Sequence, residues 1–147
     1  FKSGVAKEKS LSLTTTNGTE CIRAASKNKS VVLIGSLLNA KAVARKAYEI
    51  AARTKRDITI AMAGRNNLLA PEDLIAASEI AGHLPNCTLK GYIKPSISKD
   101  PTRDFLQSDS GKNLASLGKE QDVIFCSQKN LYNVAPIYKD NILVLSS

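Results

Sequence analysis

Ser30-Val31-Val32-Leu33-Ile34-Gly35-Ser36 is a four-residue apolar run closed on both sides by small polar residues. Such a run, without polar alternation, reads as a strand buried on both faces, the pattern of a parallel sheet covered by helices. Downstream, Asn39 is placed to cap a helix running to about Thr54. Its apolar positions Ala40, Val43, Ala44, Ala47, Ile50 and Ala51 follow three–four spacing, and Lys41, Arg45, Glu49 and Arg53 fall on the other side. Asp57–Met62 reads as the next strand and Ala63–Asn67 as its loop. Pro71-Glu72-Asp73 opens a further helix, with proline in the first turn and two acids beside the positive dipole end; it ends near Gly82.

Leu84 to Pro101 is irregular, broken by Pro85, Gly91 and Pro95. A helix is expected from Pro101 to Leu117, interrupted near Gly111 and stopped by Gly118. Asp122–Cys126 reads as a third apolar strand, and Ile142–Leu145 as a terminal strand after a turn at Asp140-Asn141. Upstream, Leu11 and Leu13 alternate with polar residues, as in a short half-buried strand, and Thr19–Ala25 reads as helix. The order β-α-β-α-β-α-α-β-β predicts a three-layer α/β/α sandwich with a mostly parallel sheet, one α/β domain over residues 1–147.

Ligands in such sheets sit at the carboxyl ends of the strands. The loops there are Thr14–Thr19, Ser36–Asn39, Ala63–Asn67 and Cys126–Asn130, all rich in small or amide residues. Thr14-Thr15-Thr16-Asn17-Gly18-Thr19 is a strand-to-helix corner of hydroxyls, an amide and a glycine. Unpaired N–H groups at a helix start favour an anion. Thr15, Thr16, Asn17, Gly18 and Thr19 are therefore the expected phosphate site, with Ser36, Asn39 and Gly64 nearby. The competing reading is that Asn17 and Asn39 only cap helices.

The bulk composition narrows the field. The 147 residues are 43% hydrophobic and carry a net charge of +8, from 21 Lys and Arg against 13 Asp and Glu. The basic residues are dispersed and aromatics are scarce, so a nucleic-acid stacking platform is not expected; the charge admits a small polyanionic substrate, but a solvated basic surface is the preferred explanation of it. No apolar run is long enough to span a bilayer, and Phe1–Ser10 lacks the apolar middle of a secretion signal. The chain opens without Met, so Phe1 is expected not to be the natural start. Three cysteines with no close pair argue against disulfides and zinc and for a reducing, cytoplasmic setting.

Several chemistries fail on spacing. Neither G-x-G-x-x-G nor G-x-x-x-x-G-K-[ST] is present. His83, the single histidine, is expected to cap a helix end. The position six after each cysteine holds Lys27, Ile93 or Tyr132, not Arg, and no strand ends in D-x-D. Cleavage of a phosphate ester would then be metal-assisted. Glu72 and Asp73 are the candidate catalytic acids. Adjacent on a helix, they point about 100° apart, so only one is expected to reach a shared metal, and Asp73 is the preferred ligand because Glu72 lies nearer the cap. The competing reading for both is dipole complementation.

These segments resemble the 2-phosphosulfolactate phosphatase family of coenzyme M biosynthesis. Thr14–Thr19 is similar to its T-T-T-N-G-T, and Gly35–Ala44 to its G-S-x-x-N-A-x-A-V-A. Ala63-Gly64 with Glu72-Asp73 is similar to A-G…E-D, and Gly111 through Ile124 to G-x-x-L-x-x-L-G-x-x-x-D-I. Cys126 and Pro136 also fall at family positions. The resemblance implies Mg-dependent hydrolysis of a phosphate monoester on a small sulfonated acid. Its implied partner is that phosphorylated acid, with no nucleic acid and no membrane. Family chains are longer and carry an amino-terminal D-V-L-R-A-[ST]-T-like segment that nothing here matches. The chain therefore corresponds to the carboxy-terminal part of the family, and pairing with the missing segment or homo-oligomerisation is the expected assembly. Arg65-Asn66-Asn67 also replaces part of a glycine-rich loop. A non-catalytic anion-binding domain, or an inactive relative, is the alternative.

Overall fold

The computed structural model describes residues 10–15, 17–27, 30–66, 68–88, 90 and 99–145. Thr16 and Asn67 lie outside the described residues, as do residues 89 and 91–98 of the irregular stretch. The chain is mixed α/β. It runs through α1 (Gly18–Ser26), β1 (Val32–Leu33), a 3-10 turn (Leu37–Asn39), α2 (Ala40–Thr54) and α3 (Pro71–Gly82). Then follow α4 (Pro101–Gln107), α5 (Asp109–Ser116), α6 (Glu120–Cys126), β2 (Pro136–Lys139) and β3 (Ile142–Leu145). Among the described residues no helix is long and apolar enough to cross a membrane.

The core lies between α2 and α3. Ala40 and Ala44 are fully buried against Ile80, and Ile60 and Leu84 pack onto that cluster. Small side chains on α2 let the two helices approach closely, so the regular alanine spacing that predicts α2 also sets its packing face. Leu37, from the turn before α2, is buried with 1% exposure.

Among the described residues the expected parallel sheet and three-layer sandwich are not formed. The sheet has three strands in the order β1-β2-β3. Both pairings are antiparallel: Val32 opposes Tyr138, and Pro136 to Lys139 oppose Leu145 to Ile142. Asp140 and Asn141 both take positive φ, giving the two-residue turn whose twist suits a hairpin. β1 is half-buried rather than covered on both faces. Leu11 and Leu13 are exposed and outside any strand.

Asp57–Met62 forms no regular element and pairs with no strand among the described residues. Ile58 and Ile60 are half-buried and Thr59 is exposed, and Ile60 packs onto the α2–α3 cluster rather than into a sheet. Val123–Phe125 is helix, not strand. A run of three apolar residues fits either state, and here Glu120 and Asp122 in the first turn of α6 favour helix through the dipole. The break in the Pro101–Leu117 helix falls at Ser108. Its buried hydroxyl accepts from Gly111 N at 3.0 Å and so caps α5.

Asn39 is 7% exposed and fully engaged. Its amide donates to the carbonyls of Ile34 and Val134, each at 3.1 Å, and its Oδ1 accepts from Ser36 N at 2.8 Å. It does not cap α2; Asn130 Oδ1 does that, accepting from Lys41 N at 2.7 Å. Asn39→Ala is expected to cost about 2–4 kcal/mol, because several buried backbone groups lose their partner at once. Urea denaturation should show a lowered midpoint with an unchanged slope.

Candidate active site

Four stretches meet in an open cleft of about 450 Å³. Thr15, Asn17 and Gly18 come from the start of α1, and Ala63 to Asn66 from the loop after Met62. Ala70, Glu72 and Asp73 come from the head of α3, and Ser110 from α5.

Hydrogen bonds rather than sheet register assemble it. Gly64 is the hub: its N–H donates to Asp73 Oδ2 at 2.7 Å, and its carbonyl accepts from Asn17 Nδ2 at 2.8 Å. The backbone there has φ +70°, and a Cβ would stand 2.6 Å from Leu68 O, so only glycine fits. Arg65 N donates to Leu68 O and Leu68 N to Arg65 O, both at 2.9 Å, closing a tight turn. Arg65 Nη1 donates to Ser110 Oγ at 3.3 Å, joining that turn to α5.

The α1 corner differs in detail from the expected anion cradle. Thr15 Oγ1 accepts from Thr19 N at 3.1 Å, so the Thr19 amide is already engaged; Thr19 Oγ1 donates to Thr15 O at 2.8 Å. Thr19 does not line the cleft. Asn17 occupies the N-cap position of α1 without a side-chain cap, its amide being turned to Gly64. Ser36 and Asn39 do not line the cleft either, being bonded to one another beside β2. Thr15, Asn17, Gly18, Gly64, Glu72 and Asp73 are the sequence-selected residues that the fold brings together.

Glu72 is the anomaly. Its Oε2 is buried with no hydrogen-bond partner among the described residues. A buried carboxylate oxygen left alone is costly. Proline at the first position of α3 and alanine at its cap set Glu72 and Asp73 in the first turn, and both line the same cleft. Among the described residues no group of three or more His, Cys, Asp or Glu could hold a metal ion. One or two carboxylates, with water and substrate completing the shell, are a donor set of the kind Mg²⁺ accepts.

Elsewhere, the three cysteines are free thiols. Burial, and then the neighbouring Asp122 carboxylate, push the Cys126 thiol up from its ordinary range, away from the nucleophilic thiolate. His83 follows α3, but its ring does not cap carbonyls. Its Nε2 lies 3.4 Å from Glu79 Oε1 and 3.3 Å from Asn130 Nδ2, outside the cleft.

Sequence reasoning did not select Arg65 and Ser110. Arg65 was visible as a departure from a glycine-rich loop; nothing in the order of residues indicated Ser110, which reaches the cleft only because the helix breaks at Ser108.

The profile described as 2-phosphosulpholactate phosphatase matches residues 1–141. A protein from Clostridium tetani named probable 2-phosphosulfolactate phosphatase is 32% identical over 97% of this chain and 62% of its own length. The 2-phosphosulfolactate phosphatase of Methanothermobacter thermautotrophicus is 31% identical over 92% of this chain and 58% of its own. That of Methanocaldococcus jannaschii is 34% identical over 86% and 54%. The chain thus spans a little over half the length of these relatives. A match along nearly the whole chain, carrying the segments that wall the cleft, means that the chain belongs to the 2-phosphosulfolactate phosphatase family.

Proposed function

We propose that this chain takes part in the Mg-dependent hydrolysis of 2-phosphosulfolactate, a phosphate monoester of a small sulfonated acid, in cytoplasmic coenzyme M biosynthesis. The family supports the reaction class. The observation that carries the site is the orphaned Glu72 Oε2 in a cleft walled by donors.

The residues fit magnesium. Glu72 would hold it through Oε2, and Asp73 through the oxygen not engaged by Gly64. When bound, the metal neutralises charge on the phosphoryl and leaving oxygens. Around it the chain positions the ester. Thr15 Oγ1 accepts from the Thr19 amide and keeps its own proton to donate. Asn17 has a second amide hydrogen beyond the one given to Gly64 O. Hydrolysis adds water to phosphorus, breaks the phosphorus–ester oxygen bond, and returns a proton to the leaving alkoxide. The Thr15, Asn17 and Gly18 wall would orient the phosphoryl group for in-line attack.

The test is phosphate release from 2-phosphosulfolactate. EDTA is expected to abolish release and added Mg²⁺ to restore it. Phosphate binding without turnover at any Mg²⁺ concentration would favour the non-catalytic anion-binding reading.

A further inference from the structure

Resting on that reading, we infer that Arg65 binds the substrate's non-phosphoryl anionic end, a sulfonate or a carboxylate, and so selects among phosphate esters. Arg65 is the one cation among the described residues lining the cleft, and it shares that cleft with Glu72 and Asp73. It makes no ion pair among the described residues; Ser110 Oγ engages one of its guanidinium donors. A guanidinium is permanently charged and carries five donors, so most of its fork is left for an oxyanion.

Its position is fixed from three sides. The paired bonds between Arg65 and Leu68 hold the backbone, Asp73 holds the preceding residue through Gly64 N, and Ser110 holds the head group. An anchored guanidinium loses little freedom on binding, the condition for selectivity rather than loose attraction. On that reading the phosphoryl group would be provided for by Glu72, Asp73 and the metal they would hold, and by the wall of Thr15, Asn17 and Gly18. A substrate bearing further negative charge in a cleft with two carboxylates needs one cation that is not used by the reacting group. Arg65 supplies it.

The experiment compares wild type, Arg65→Ala, Arg65→Lys and Ser110→Ala. With 2-phosphosulfolactate, Arg65→Ala should raise KM about tenfold or more while kcat changes less than about threefold, as loss of one charge-assisted contact implies. Lysine should recover part of the loss, and Ser110→Ala should give a smaller rise. The same series with 2-phospholactate, which lacks the sulfonate, separates the two anions: an unchanged KM assigns the sulfonate, and an equal rise assigns the carboxylate. Calorimetric titration with 3-sulfolactate and with inorganic phosphate provides an arm that needs no turnover. Arg65→Ala should weaken 3-sulfolactate binding about tenfold and leave phosphate binding within about threefold. Equal losses for both probes, no change for either, wild type binding neither, or a fall in kcat at constant KM would each overturn the assignment. Arg65-dependent binding of 3-sulfolactate without hydrolysis would retain it and remove the phosphatase reading instead.

Discussion

Glu72→Gln should lower phosphate release from 2-phosphosulfolactate about 10³-fold, equivalent to about 4 kcal/mol in the barrier, while changing stability by no more than about 1 kcal/mol. The two effects separate because of where the oxygen sits. Glu72 Oε2 has no protein partner among the described residues, so replacing it with a neutral amide breaks no hydrogen bond. What is lost is the interaction of a first-turn carboxylate with the dipole of α3, about 0.3–1 kcal/mol. The same change removes a carboxylate that would hold the metal. Asp73→Asn is the companion: it should also abolish Mg-dependent turnover, and its amide oxygen can still accept from Gly64 N, keeping stability within about 1 kcal/mol. Phosphate release and thermal denaturation measured on both proteins decide the matter. Retention of more than a tenth of wild-type turnover by Glu72→Gln would remove Glu72 from the chemistry.

Gly111→Ala should destabilise the protein by about 4 kcal/mol or more, at the upper end of single-substitution effects. A Cβ at Gly111 would stand 1.8 Å from the Phe105 carbonyl oxygen and 3.0 Å from Leu106 Cα. These are backbone atoms and cannot swing aside, so α4 and α5 must separate. Ser108, whose hydroxyl bonds Gly111 N and Phe105 O, would lose its place as well. Gly82→Ala is the control: a Cβ there meets nothing within 4 Å, and the change should be neutral or mildly stabilising. Equal urea midpoints for the two variants would refute the packing argument. Because Ser110 adjoins Gly111 and holds Arg65, this corner also supports one wall of the cleft.

The helices were legible where the pattern was long. Fifteen residues of three–four spacing define α2, and proline followed by two acids marks the head of α3. Of the strands, β1 lies inside the Val31–Ile34 run and β3 follows the Asp140-Asn141 turn as the sequence indicated, whereas β2 (Pro136–Lys139) was not read from the sequence. Val31–Ile34, Ile58–Met62 and Val123–Phe125 are each too short for periodicity to distinguish strand from helix, and partners in space decided them. The cleft brings together several residues chosen from loops at expected strand ends, but by another physical route. The Asp73 carboxylate and the Asn17 amide, both bonded to Gly64, gather the loops where a parallel sheet was expected to. Arg65 and Ser110 stayed hidden because a contact between residues 45 positions apart depends on the helix break between them.

The bonds between the two ends of the described chain have a consequence for folding order. Asn39 to Val134, Lys41 to Asn130 and Arg45 to Asn133 span 95, 89 and 88 residues, and β1 meets β2 beside them. The β2–β3 hairpin and α2 are local and can form within microseconds. Joining them requires closing one very long loop, whose entropic cost grows only slowly with length but precedes any reward. Once one of these bonds forms, the others are brought into reach for little further entropy. The molecule is therefore expected to close in a single late, cooperative step, with the cleft elements Gly64, Glu72 and Asp73 carried inside the loop that closes.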